Sequence, residues 1–328
     1  MKGLLIQSGL DGIYPVLEQE YLSAWRASGN TIDTIRLPEQ NHFSDSTLAP
    51  YDLIIMFNGR GLSEQCKQQL ASSSAAFFVW QTEDPFYIDQ SVALTKWADH
   101  TFTVDEGALA YYHRKAANHP VTFLPLGTSA ALFHPQPPEL QLATDLLLIG
   151  YPYPNRARLI RFLLMHTSCT IKVIGQGWHN ALPKGLRRSS RLQVINHWLA
   201  PDETARHYCS ARIVLNPHRS SLFPINSNSS RLPNLSLNNR AYDLAACRAF
   251  QLIDRPLTNS SGFTSQEMIS YTTPEDCLNK VKHYLENDAL RNQIAGRACV
   301  RAFLNHRFEH RIAQIIQQIP NLRATRHQ

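Results

Sequence analysis

The densest set of residues able to do chemistry lies at positions 225–254, INSNSSRLPNLSLNNRAYDLAACRAFQLID. Pro, Ser and Asn keep its first half out of helix and strand, while Asn238 and Asn239 can cap a helix. Residues 240–247 read as that helix, and the apolar run at 250–253 as a buried strand after it. Free backbone N–H groups at such a terminus attract phosphate, and Asp243, one turn in, can accept hydrogen bonds from a ribose diol. Diphosphate plus ribose describes a nucleotide. The same residues also suit a plain helix end, because Asn caps it and Asp complements its dipole.

These side chains need elements to hold them. Strand-length apolar runs at 4–7, 31–37, 52–57, 75–80, 100–104 and 121–124 alternate with helical patterns at 15–27, 64–70, 91–98 and 107–115. That alternation predicts a parallel sheet covered by helices, a Rossmann-like N-terminal domain. The proline cluster Pro135 to Pro138 marks a connector, and we place the boundary at 138, giving domains 1–138 and 139–328. A second series follows: DLLLIG, a helix at 156–165, TIKVIG, LQVIN, a helix at 202–210, IVLNPH, the helix at 240–247 and FQLID. The expected fold is α/β, with two Rossmann-like domains facing a central cleft and a helical C-terminal segment from Pro274. Glu83 and Asp84, in Trp80-Gln-Thr-Glu83-Asp84-Pro85, then lie at a strand's carboxyl end, where either can orient an acceptor hydroxyl or take its proton. Asp84 equally suits a helix cap ahead of Pro85, and Asp105-Glu106 is open to the same two readings.

Composition narrows the class. At 328 residues, with 43% hydrophobic and 18% charged residues, the chain is an ordinary globular protein, long enough for two cores. Its charge of +6 is spread without a Lys/Arg block, which weighs against nucleic acid and suits phosphate-bearing ligands or an anionic surface. No apolar run approaches a membrane span, and the start MKGLLIQSGLDG is too short in apolar core for a secretory signal, so a cytoplasmic address is expected. Six cysteines without a C-x-x-C pair suggest reduced thiols. His306 and His310, one turn apart and crowded by Arg307 and Arg311, read as a solvated helix face. Gly175-Gln-Gly177-Trp178 is too short for a dinucleotide fingerprint. No D-x-D occurs, so no metal is expected.

The stretch Asn239-Arg240-Ala-Tyr-Asp243-Leu-Ala-Ala-Cys247-Arg248-Ala-Phe resembles the R-x-(F/Y)-E-x-x-A-C-G-x-(F/P) signature of GT-B glycosyltransferases, in particular the spore-maturation CgeB-like proteins. The linker Leu124-Pro-Leu-Gly, continuing to Phe133-His-Pro135, is similar to the family's LPLG-x-(D/S)-x-x-x-F-x-P. The resemblance implies that Asp243 holds the ribose of a nucleotide-sugar, with Ser236, Asn238, Asn239 and Arg240 at its phosphates. It implies that Arg156, after Gly150, reaches the diphosphate, against the alternative of a surface Arg that starts a helix. His197 and Trp198 occupy the family's nucleobase position, Trp198 being a stacking platform or core. His218 and Arg219, in the L-N-P-x-R run, face sugar or phosphate, or solvent. Three departures stand out: Asp243 for Glu, Arg248 for Gly, and Leu235 where the wider superfamily has an acid.

The expected function is therefore metal-independent and retaining transfer of a sugar from a nucleoside-diphosphate donor, most simply a UDP-sugar, to an acceptor that is a glycan, protein, lipid or small molecule. No cofactor is expected, since the donor is a substrate. Glu83, Asp84 and Arg156 are the catalytic candidates. The three departures also suit an alternative, a non-catalytic nucleotide- or glycan-binding protein that kept the fold.

Overall fold

Apolar runs such as LIIMF at Leu53–Phe57 and AFFVWQ at Ala76–Gln81 are buried at every position, as strands covered on both faces must be. The computed structural model, which describes residues 1–37 and 42–326, builds two units from such runs. The first comprises Met1–Leu126, Ser221–Ser236 and Phe308–Gln328; the second comprises Gly127–Ser220 and Leu237–Arg307. The division thus falls at 126/127, where sequence reading places it at 138. The loop 221–236 and the last helix are returned to the first unit.

In the first unit, β1 (Lys2–Ile6), α1 (Tyr14–Ala27), β2 (Thr31–Ile35), α2 (Asp45–Leu48), β3 (Leu53–Phe57), α3 (Glu64–Ser72), β4 (Ala76–Gln81), α4 (Ile88–Ala93), β5 (His100–Thr103), α5 (Glu106–Lys115) and β6 (Val121–Phe123) form a parallel sheet of order β2-β1-β3-β4-β5-β6. Tyr21 and Trp25 of α1 pack on one sheet face with Phe57, Trp80 and the apolar side of the last helix, including Ile312 and Ile315. Trp25 donates its indole N–H to Thr31 O and Trp80 to Leu124 O, so neither buried ring leaves an unsatisfied donor.

The second unit runs β7 (Thr144–Ile149), α6 (Pro154–His166), β8 (Ile171–Ile174), α7 (Trp178–Ala181), α8 (Lys184–Arg187), β9 (Leu192–Ile195), α9 (Pro201–Ser210), β10 (Ala211–Asn216), α10 (Asn239–Ala246), β11 (Gln251–Ile253), β12 (Ile269–Ser270), α11 (Pro274–Glu286) and α12 (Asp288–Asn305). Its parallel sheet has the order β12-β11-β10-β7-β8-β9. Strand order therefore reverses between β7 and β10, the place where sheets of this kind open a crevice at their carboxyl ends. The final helix, α13 (Phe308–Arg326), belongs to the first unit.

One expectation fails outright. His306 does not share a solvated helix face with His310: it follows α12 as its C-cap, is buried, and stacks on Phe263 at 4.8 Å between ring centroids.

Candidate functional site

The switch point of the second unit is where its cations collect. β7 ends at Gly150, whose φ of +135° is a glycine conformation, and a Cβ there would lie 2.6 Å from Arg240 Nη2 and 2.9 Å from Arg156 Nη1. Two guanidiniums thus close over one bare backbone position. Gly175, at the end of β8, is needed for the same close packing, since a Cβ on it would strike Gly150 O at 2.6 Å. That carbonyl accepts from Trp178 Nε1 at 2.9 Å, so the Gly-Gln-Gly-Trp turn after β8 acts as a buttress. This is a role that the sequence did not reveal.

Arg156 sits in the first turn of α6, behind Pro154, and is buried rather than on the surface. Its Nε donates to Pro217 O at 2.8 Å across the switch point and its Nη1 to Tyr151 O at 3.0 Å. The Tyr153 ring lies 4.9 Å under the guanidinium. Arg240 Nη1 donates to Asn216 Oδ1 at 3.2 Å. Every one of these partners is neutral. Burial, and then the charge of Arg240, pull the Arg156 pKa down to about 9. Two like charges confined together with only neutral acceptors describe a place prepared for an anion.

The head of α10 is fixed by a polar network. Asn238 caps it, its Oδ1 accepting from Ala241 N at 3.1 Å, and exchanges hydrogen bonds with the Asn216 amide. Asn216 also donates to Gln251 Oε1 at 3.1 Å, and Gln251 in turn donates to Ala241 O. His218 accepts the Asn238 N–H at Nε2 (3.0 Å) and donates from Nδ1 to Asp254 Oδ1 (2.7 Å), which sets its tautomer. Burial, then the Arg255 charge, push its pKa down to about 4, so the ring is neutral. Although burial works against it, the His218 hydrogen bond holds Asp254 below its ordinary value. His218 is thus a strut behind the helix head, and Asn216, Gln251 and Asp254 are partners that sequence reading missed. Asn239 and Arg240 form the first two helical positions, half-buried. Arg219 also lies over the Tyr153 ring, 5.5 Å from its centroid.

Asp243 lies deeper than an acid facing an opening would: it is 6% exposed, and its Oδ1 accepts from Thr128 Oγ1 at 2.9 Å. Trp198 is not core but 50% exposed, beside an exposed His197, on a loop anchored by Asn196, whose Oδ1 accepts from the Gly177 and His179 N–H groups. Ser236 belongs to the first unit, where its Oγ accepts from Glu106 N at 3.0 Å, so its hydroxyl serves the start of α5. Arg248 follows α10 in the left-handed region at φ +55°, where the related signature has Gly.

The first unit's two acids part company. Glu83 is half-buried, its Oε1 accepting from Tyr14 OH at 2.9 Å, and Asn58 (φ +60°) ties the group together by accepting from the Thr82 and Glu83 N–H groups. Asn58 also donates to the Tyr14 oxygen. Burial and the Glu83 charge raise the Tyr14 phenol well above its ordinary pKa. Asp84 is 2% exposed and faces inward, accepting from Thr103 Oγ1 (2.8 Å) and Tyr112 OH (3.0 Å). It neither caps α4, whose N-cap is Tyr87, nor stands open to a substrate. Asp105 is the capping acid here: one oxygen accepts from Ala108 N, the other from Asn234, Leu235 and Ser236, pinning the loop 221–236.

Known proteins resemble this chain in sequence and in fold. The glycosyl transferase-like family matches residues 156–317. The spore protein CgeB of Bacillus subtilis (strain 168) is 33% identical over 296 residues, covering 90% of this chain and 92% of its own. Among solved structures, sucrose-phosphate synthase from Thermosynechococcus elongatus superposes with a TM-score of 0.69 at 14% identity, over 99% of this chain and all of that one. Anabaena Alr3699/HepE, in complex with UDP-glucose, superposes with a TM-score of 0.67 at 13% identity, again over 99% of this chain and all of its own. The two sheets and their helices are those of the GT-B fold.

Proposed function

Because the chain belongs to the glycosyl transferase-like family, as a CgeB-like member, and is a glycosyltransferase of GT-B fold, we propose that it draws its sugar from a UDP-linked donor bound in the second unit. The observation that carries this reading is the meeting of Arg156 and Arg240 over Gly150 with neutral acceptors alone. A diphosphate supplies the charge that they lack. The N–H groups of Asn239 and Arg240 at the head of α10 add to the attraction, and Gly150 leaves room for the phosphate. Arg219 stands at the rim, His218 and Asn238 hold the helix head, and Trp198 with His197 offers a stacking face for uracil. Asp243 takes the ribose, a sugar hydroxyl replacing that of Thr128. Ser236 has no donor role here.

As the bond from sugar to diphosphate breaks, negative charge gathers on the departing phosphate oxygen, where two guanidinium forks are worth most. Side chains thus supply the positive charge, transfer is metal-independent, and the UDP-sugar is a substrate with no separate cofactor. Glu83 orients the acceptor hydroxyl, and the anomeric configuration is retained. Neighbours bound to UDP and UDP-glucose make uridine the first donor to try.

Calorimetry with UDP tests the reading. Arg156→Ala should weaken binding by about 2–3 kcal/mol, roughly 30- to 160-fold, the worth of a charged hydrogen-bonding group. Unchanged affinity would remove the diphosphate assignment. Asp243→Ala should erase any preference for UDP over 2′-deoxy-UDP; a preference that survives would return Asp243 to a purely structural role.

A further inference from the structure

From position 146 to 201 the sequence has no Asp or Glu, yet it has eight Lys and Arg. The fold gathers much of that charge on one face of the second unit. Residues 177–191 run beside α6 from end to end. At the start of α6, a Cβ on Gly177 would touch Pro152 at 3.3 Å; at its end, Arg191 donates to the carbonyls of Leu164 and Thr167. Arg158, Arg161 and Met165 are spaced three and four apart on α6 and are all exposed, so they form one outward stripe. Alongside stand Lys184 and Arg188, also exposed. Among the described residues none of these four cations forms an ion pair. The neighbouring α11 carries both signs, its Asp276 bonded to Lys280. The same stripe also carries apolar exposure: Met165, near the end of α6, is 66% exposed.

We propose that this face docks the enzyme on an anionic lipid surface. Unpaired cations draw the protein to lipid phosphates, each worth about fivefold in partitioning. The exposed Met165 side chain among them suits the boundary between headgroups and acyl chains. A soluble polyanion needs the charge but not this apolar side chain. Among the described residues no helix is long and apolar enough to cross a membrane, so the contact is peripheral. The proposal stands apart from the donor assignment, since none of the four cations lies at the Gly150 corner.

The test is co-sedimentation of the full chain with phosphatidylcholine vesicles with and without phosphatidylglycerol, at low and high salt. Wild type should sediment only with the anionic vesicles and be released by salt. Arg158→Glu with Arg161→Glu, and Lys184→Glu with Arg188→Glu, should each weaken partitioning by at least about thirtyfold, the worth of the two cations lost. Both variants should keep the melting temperature and UDP affinity of wild type, because all four side chains are exposed and outside the donor corner. Failure of wild type to bind the anionic vesicles, or unchanged binding by both variants, overturns the proposal. So does a result in which the variants lose binding to polyphosphate while wild type ignores vesicles; that would assign the face to a soluble polyanion.

Discussion

Two parallel six-stranded sheets end in opposite chemistry. Around the carboxyl ends of β3 to β5 the first unit collects acids, Glu83, Asp84 and Asp105, each satisfied by neutral donors such as Tyr14, Tyr112 and backbone N–H groups. Around the ends of β7 and β10 the second unit collects Arg156 and Arg240, satisfied by backbone and amide oxygens. Equal strand number and equal parallel pairing therefore say nothing about which charge a sheet presents. What decides is the first residues after each strand. Glycine at 150 admits two guanidiniums, whereas Asn58 at φ +60° folds back to bind the Thr82–Glu83 turn and aims one carboxylate at a phenol. On the proposed reading the two sets divide the work, the cations serving the departing diphosphate and Glu83 the incoming hydroxyl.

The largest expected effect comes from breaking that division of labour at Glu83. Glu83→Gln keeps shape and the Tyr14 hydrogen bond but removes the basic oxygen, so turnover should fall by about 10²–10⁴-fold. UDP affinity should stay as in wild type, the converse of Arg156→Ala. Steady-state rates beside UDP titrations separate the two, and a loss of UDP affinity in Glu83→Gln would end the assignment of acid and cations to different tasks.

Asp84 sharpens the contrast within the acid-rich sheet. Burial foremost, with the Asp105 charge adding to it and the Ser91, Thr103 and Tyr112 hydrogen bonds opposing it, raises its pKa to about 7. Between the unfolded carboxyl value near ~3.9 and that point, the folded chain holds a proton that the unfolded chain has released. Stability then falls as pH rises through this window and levels off above it. The full span is on the order of 4 kcal/mol. Asp84→Asn, which mimics the protonated acid, should match wild type at about pH 4 and melt progressively higher than it as pH rises to 8. Parallel melting curves for the two proteins across that range would rule the buried acid out as the source.

Much of this was legible in residue order. The strands at 53–57 and 76–81 and the α10 segment announce themselves through apolar runs and Asn caps, and the resemblance pointed to Arg156 and Arg240 as neighbours of a diphosphate. Burial was harder to read. Trp198 reads from sequence as core or platform, yet it is half exposed, on a loop after β9 that Asn196 anchors through two backbone N–H groups. Asp84 and Glu83 are adjacent and chemically alike, so nothing local tells which one turns inward; Thr103 and Tyr112, far along the chain, decide it. Ser236 was grouped with Asn238 by proximity, although the chain changes units between them. Asn58, Asn216 and Gln251 carry no motif at all and act only once tertiary folding assembles their partners.

The smallest expected effect lies at the far end of α10, where the sequence itself flagged a misfit. Arg248 adopts φ +55° just after the helix, with Ala249 N closing back onto Leu244 O at 2.9 Å. A side chain in the left-handed region costs about 1–2 kcal/mol, because its Cβ crowds the following carbonyl, and Gly avoids that cost. Against this, the Arg248 guanidinium packs over Gly296 of α12, its Nε 3.7 Å from where a Cβ would be. That contact is at an exposed residue and is worth less than the backbone strain. Arg248→Gly should therefore raise stability by about 1 kcal/mol, or roughly two degrees in Tm. Arg248→Ala, which keeps the strain and loses the packing, should lower it slightly. If both variants destabilise alike, the arginine's contact with α12 outweighs the turn, and the second unit holds its donor helix by side-chain packing at this end as well as by the polar network at the other.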